Sequence, residues 1–216
     1  SCQENLNFWT QPRMKAFFDG VSDEQMLCLD LVCEYNPMWN KTESFYGKPW
    51  LWCNIQNFGD KVFLGGSLDQ LNKGVMVVKQ DSAKGKLRGL GLVTEGLSYN
   101  PVVDDLMFEM AWRDKDVEIE SWIKRYATYR YGKENKDAEQ AWKILEETVY
   151  SRSGDFLSAM TRFPSLQKEK EVFFHNTRPA DAWMHLLCAS ENLGKVDAYQ
   201  FDLVNVSRQV LANYAT

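Results

Sequence analysis

The sequence predicts an α/β first part, a piece of a (β/α)8 barrel, followed by an all-α second part. Three observations carry that prediction. Short apolar runs alternate with helical patterns up to Asn100, each run closes on polar or small residues, and beyond Asn100 apolar residues recur only at helical spacing.

Gln11 to Asp19 reads as a short helix with Met14, Phe17 and Phe18 on one side. Met26-Leu27-Cys28-Leu29-Asp30-Leu31-Val32 is nearly continuously apolar, the pattern of a parallel strand covered on both faces. Trp50 to Ile55 reads as a second strand, and Leu87 to Val93, lightened by Gly89 and Gly91, as a third. Between them the Gly65-Gly66 break opens a short helix over Leu64 to Leu71, while Val75 to Val78 fits either state. The strands end in Glu34-Tyr35-Asn36-Pro37, Gln56-Asn57-Phe58-Gly59 and Thr94-Glu95-Gly96. Each end leads into a connection back to the next strand, so parallel βα units are expected. Three strands do not close a barrel, so residues 1–100 are expected to be only part of one.

In the second part Asn100 reads as an N-cap with Pro101 at the first helical position. Val102, Val103, Leu106, Met107, Met110 and Ala111 follow at helical spacing. Ile119, Trp122, Ile123 and Tyr126 mark a second helix stopped by Gly132, and Ala138, Ala141, Trp142, Leu145 and Val149 a third. Another begins near Pro179, and the last runs from about Val196 to Tyr214. Residues 101–216 are therefore expected to form a helical domain. The pattern still runs at Thr216, and the start lacks Met, basic n-region and h-region, so a piece of a longer protein is expected.

Composition excludes several functions. A net charge of −5 without a basic block disfavours nucleic-acid partners. No apolar run reaches the roughly 18 residues that a membrane helix needs. The five cysteines are odd in number and form no CxxC pair, so no disulfide framework is indicated; only His175 and His185 could assist a zinc site, and neither has ligand spacing to a Cys. Neither metal nor cofactor is expected. Cys28, Cys33 and Cys53 lie in apolar runs and suit buried thiols. Two Asn-X-Ser/Thr triplets, at Asn40 and Asn205, match the glycosylation pattern, a common chance match.

In a barrel the strand ends open onto one face, which would offer Asp30, Glu34, Trp52, Asn54, Asn57 and Glu95. Acids and amides hydrogen-bond hydroxyls, and rings stack on sugar faces. A glycoside hydrolase needs two carboxyl groups across the scissile bond. Glu95, flanked by Thr94 and Gly96, leaves room for a sugar ring and is the candidate nucleophile; the alternative is a Glu that caps the following helix or makes a surface pair. For Glu34 the alternative is a salt bridge or a hydrogen-bonding place in the site wall. Asp30 lies within its strand and reads as structural, and His185 as a satisfied helix residue.

Several stretches resemble the α-N-acetylglucosaminidases of glycoside hydrolase family 89. They are Ser44-Phe45-Tyr46-Gly47-Lys48-Pro49-Trp50-Leu51-Trp52-Cys53, Asn57-Phe58-Gly59, Glu95 to Val103, Ala111-Trp112-Arg113, Arg130-Tyr131-Gly132, Ser151-Arg152-Ser153-Gly154 and Pro164-Ser165-Leu166-Gln167. They occur in family order from about Phe8 to Tyr214. The resemblance implies a retaining exo-hydrolase that removes terminal α-linked N-acetylglucosamine, in lysosomes from heparan sulfate or in bacteria from host glycans. Its site is extracytoplasmic: periplasmic, secreted or lysosomal. It implies the C-terminal portion of a (β/α)8 barrel followed by an α-helical domain that helps form the pocket. Glu95 matches the family's nucleophile; Glu34, Trp52, Cys53 and Asn57 match the pocket walls; Phe173 and Phe174 fall where the family offers a Trp-Tyr pair to the sugar. Gln56 and Asp60 depart from the family, which places a His before and a second Gly after its Asn-Phe-Gly. The family's general acid belongs to an Asn-Glu pair on an earlier barrel strand, and this sequence contains no such pair. An N-terminal remainder or partner chain is thus expected to complete the barrel. The rival expectation is a non-catalytic, carbohydrate-binding remnant.

Overall fold

The computed structural model describes residues 8–57, 63–96, 100–152 and 177–214. A three-stranded parallel sheet forms its first part, in the order β1 (Cys28–Asp30), β2 (Trp50–Gln56) and β4 (Leu87–Thr94). The register sets Asp30 beside Trp52, Trp52 beside Leu90 and Gln56 beside Thr94. All three strands run the same way, so their carboxyl ends open on one edge, as the βα rhythm implies.

The faces of this sheet differ. Trp50 and Trp52 point to the helix layer, where Gly74 of α3 (Leu68–Gln80) gives Trp52 room: a Cβ on Gly74 would lie 3.2 Å from the ring. Leu51, Cys53, Gly89 and Gly91 share the opposite face; a Cβ on Gly91 would lie 2.7 Å from Cys53 Sγ. On that face Leu29, paired with Leu51, is 51% exposed. The expected strand over Met26 to Val32, covered on both sides, is therefore corrected: only Cys28–Asp30 is strand, and one face is open among the described residues. An apolar run reveals the capacity for burial, not the presence of a cover.

The helix expected over Leu64 to Leu71 begins later and runs further. Gly66–Ser67 forms a short strand, β3, and Ser67 then caps α3 by accepting from Gln70 N at 3.1 Å. Leu68, Leu71, Val75 and Met76 make the buried stripe, so Val75 to Val78 is helix. Two polar links anchor α3. The Asn72 amide donates to Val117 O at 2.9 Å and accepts from Val117 N at 3.0 Å. Lys79 Nζ donates to the carbonyls of Met110, Ala111 and Arg113, the terminal acceptors of α4 (Pro101–Trp112). Consequently α4, which the sequence reading groups with the helical domain, packs on α3 and β4.

The helical part contains α5 (Ile119–Tyr131), α6 (Lys136–Glu147), α7 (Pro179–Leu193) and α8 (Asp197–Tyr214). Glu118 caps α5 and Asn135 caps α6; Gly132, at φ 76°, ends α5 as expected. His185 faces Asp137 across α7 and α6 at 3.0 Å, a satisfied helix residue. The helical part returns to the start of α3 through β5 (Ser151–Arg152), which pairs antiparallel with β3 in a separate two-stranded sheet, with Leu68 N donating to Tyr150 O at 3.1 Å.

Ahead of β2, α1 (Gln11–Asp19) packs on α2 (Glu43–Tyr46), whose residues are left-handed at φ 48°, 53°, 56° and 52°. Four such non-glycine residues cost about 1–2 kcal/mol each. Tertiary contacts hold them: Phe45 is buried against Phe18 and Trp50, and Ser44 Oγ donates to Ala83 O. Gly85 (φ 57°) passes so close that a Cβ there would sit 2.9 Å from Ser44 Cβ. Gly85→Ala should therefore lower stability by about 2 kcal/mol or more, adding a clash to an unfavourable φ. Gly47→Ala, at φ 83° with nothing within 4 Å, should cost about half as much. Urea unfolding midpoints of the two variants check the order.

Candidate active site

The carboxyl edge of the sheet collects most of the residues singled out above. Glu95 follows β4, and its N–H donates to Gln56 O at 3.2 Å, which extends the ladder one step past the strands. Asn57 follows Gln56 on the adjacent strand, so Glu95 and Asn57 emerge side by side. Glu95 is exposed, whereas Asn57 is buried and left-handed at φ 54°. Asn tolerates that conformation better than most residues.

Asp30 serves structure, as its place within β1 suggested. Its Oδ2 accepts from Met38 N and Trp39 N, each at 2.8 Å, and so anchors the β1–β2 connection. Cys33 N donates to Cys53 O at 3.1 Å, continuing the pairing after β1 has ended. Glu34 comes next, close enough to the Ile55 N–H and the Asn54 side chain for both to favour its charged form. The group is 8% exposed, and Oε2 has no partner among the described residues. Burial pushes this carboxyl up to about 8.

That shift has a stability consequence. Folding raises the group above its ordinary 4.5, so the folded state binds the proton more tightly. The associated stability is present below about 4.5 and is lost as pH rises through about 8. Glu34→Gln should flatten the decline in unfolding free energy across that window, as read from denaturant curves at several pH values.

Of the wall residues that the resemblance implies, Cys53 lies buried on the open face beside Gly91, and Glu34 and Asn57 lie at the strand ends. Trp52 is turned the other way. It is 1% exposed against α3, so it packs the sheet on the helix layer rather than lining the strand-end edge. Alternation along β2 is the reason: Cys53 and Trp52 must face opposite sides. Phe173 and Phe174 lie outside the described residues.

Sequence reasoning missed the hub of this edge. Asn100, 2% exposed, sits at the N-cap position of α4, but its side chain caps nothing. The backbone carbonyl accepts from Val103 N at 2.9 Å instead. The side-chain amide donates to Gln56 Oε1 (3.1 Å), Asn57 Oδ1 (3.2 Å) and Phe63 O (3.4 Å). It accepts from Gly65 N (3.1 Å) and the Tyr150 hydroxyl (3.2 Å). Gln56 Nε2 in turn donates to Asn54 Oδ1 at 2.6 Å. The sequence signal was an amide between a strand end and Pro101, which the N-cap rule absorbed.

Among the described residues no group of His, Cys, Asp and Glu could hold a metal ion, and no helix is long and apolar enough to cross a membrane.

Comparison with known proteins adds the family. The model of the alpha-N-acetylglucosaminidase tim-barrel domain matches residues 2–114, and that of the alpha-N-acetylglucosaminidase C-terminal domain matches residues 122–216. Human alpha-N-acetylglucosaminidase is 33% identical over 215 residues, which cover 97% of this chain and 29% of that protein. A family 89 glycoside hydrolase from Clostridium perfringens, in complex with PUGNAc, superposes with a TM-score of 0.83 at 24% identity, covering 96% of this chain and 25% of that one. A Clostridium perfringens family 89 protein with two Glu→Gln substitutions, in complex with its substrate GlcNAc-alpha-1,4-galactose, gives a TM-score of 0.79 at 25% identity, covering 88% and 23%. The chain thus spans less than a third of the length of these relatives.

Proposed function

The chain belongs to the alpha-N-acetylglucosaminidase family of glycoside hydrolases, and from that premise we propose that it is the C-terminal part of a retaining enzyme that removes terminal α-linked N-acetylglucosamine from glycans, with Glu95 as nucleophile. The observation that supports this role is the position of Glu95: an exposed carboxylate at the carboxyl end of a parallel strand, beside the buried amide of Asn57. Barrel enzymes keep their chemistry at that end.

The reaction is a double displacement. Glu95 attacks the anomeric carbon as the bond to the leaving oxygen breaks, and a β-glycosyl-enzyme forms. A second carboxyl group protonates the leaving oxygen, then takes a proton from the water that releases the sugar. That acid comes from outside residues 1–216, which contain no Asn-Glu pair. The Clostridium perfringens relative in complex with its substrate carries two Glu→Gln substitutions, which supports a mechanism that needs two glutamates. Glu34, Cys53 and Asn57 form the part of the wall that the described residues contribute. The remaining barrel strands cover the open face of β1, β2 and β4. The whole enzyme works outside the cytoplasm, where such glycans are met.

The test is turnover of p-nitrophenyl α-N-acetylglucosaminide. The 216-residue chain alone should show little or none, and co-expression with a segment that supplies the missing strands and acid should restore it. Turnover by the chain alone would overturn the assignment of an external acid; no turnover by the assembled protein would overturn the function.

A further inference from the structure

The amide network at the strand ends has a polarity that backbone atoms dictate. Gly65 N can only donate, so the Asn100 atom 3.1 Å away must be the amide oxygen. Phe63 O can only accept, so the atom facing it must be the Asn100 nitrogen. That nitrogen also meets Asn57, which must present its oxygen, Oδ1, in reply. The Asn57 amide therefore cannot flip, and its Nδ2 is directed away from Asn100. Nδ2 is buried and has no partner among the described residues. The same logic runs along the strand: Gln56 gives its oxygen to Asn100 and its nitrogen to Asn54 Oδ1. Two backbone groups thus orient four side chains.

A buried amide N–H without an acceptor costs about 1–3 kcal/mol, so this one is directed at an acceptor outside the described residues. Asn57 lies beside Glu95 at the strand end. We propose that Asn100 is a positioning residue: it turns the Asn57 amide so that an NH2 group, not a carbonyl, meets an acceptor oxygen of the bound sugar, and through the Tyr150 hydroxyl it ties that orientation to the helical part. The acceptor is a hydroxyl or acetamido oxygen. This inference rests on the glycosidase reading of the edge.

Kinetics of the assembled enzyme on p-nitrophenyl α-N-acetylglucosaminide test it. Asn57→Asp keeps an oxygen toward Asn100 and replaces only the outward NH2, so KM should rise about 10- to 100-fold, more than kcat falls. Tyr150→Phe deletes one of the two donors that fix the Asn100 oxygen, and KM should rise a few-fold with kcat little changed. In an Asn57→Ala background Tyr150→Phe should add nothing to KM, because its effect passes through Asn57. An unchanged KM in Asn57→Asp, or a Tyr150→Phe effect that persists in full without Asn57, would overturn the inference while the function stands. Absence of turnover in the unsubstituted assembled enzyme would remove the function and this inference with it.

Discussion

Glu95→Gln in the assembled enzyme should lower kcat/KM by about 10³-fold or more, because the amide keeps the shape of the side chain and loses its nucleophilicity. Stability should not change, since the group is exposed. The alternative roles, a helix cap or a surface pair, predict a change of only a few-fold. A second variant separates nucleophile from acid. In Glu95→Ala, added azide can enter the vacated space and attack the same face of the sugar, so turnover of an activated substrate should recover and yield the β-glycosyl azide. Recovery without that product, or no loss of activity in Glu95→Gln, would remove Glu95 from the mechanism.

The second large effect is on stability. Arg130 of α5 grips Asp202 of α8 through two bonds, Nε to Oδ2 at 2.5 Å and Nη2 to Oδ1 at 2.8 Å. Tyr131 donates to the same carboxylate at 2.8 Å, and Trp142 of α6 donates to the Tyr131 hydroxyl at 2.9 Å. The Arg130 guanidinium also lies over the rings of Tyr126 and Phe201. Side-chain exposures of 14% and 5% make this a buried pair, so a charge left alone finds little water. Asp202→Ala and Arg130→Ala should each cost about 3–5 kcal/mol, measured by urea unfolding. The double variant should cost clearly less than their sum, because the second substitution removes the charge that the first had stranded. Additive losses would show that the ion pair itself contributes little.

How far the sequence could be read depended on the range of the interactions. α1, β2, β4 and the Gly132 stop of α5 follow from local pattern and turn chemistry, and they occur where those signals put them. The strand-end position of Glu95 was legible for the same reason, being a local feature. Trp52 was not, because period-2 alternation separates the two faces without saying which one meets the helices. The shortened β1 has a related origin, since burial of Leu29 depends on cover from elsewhere. Asn100 takes the N-cap position that the sequence indicates, but the destination of its side chain was not legible, because the partners that divert it, Gly65 and Tyr150, lie 35 and 50 residues away. A cap rule weighs only the next turn of helix.

The left-handed turn at Glu43–Tyr46 also bears on the order of events during folding. No local preference supports four successive positive φ values, so the turn gains its stability only once Phe18, Trp50 and Ala83 are already in place. It should therefore be absent from the folding transition state and complete late. Substitutions that weaken it, Gly85→Ala among them, should leave the refolding rate nearly unchanged and accelerate unfolding. The turn then acts as a latch on the lifetime of the native state rather than as a nucleus for reaching it.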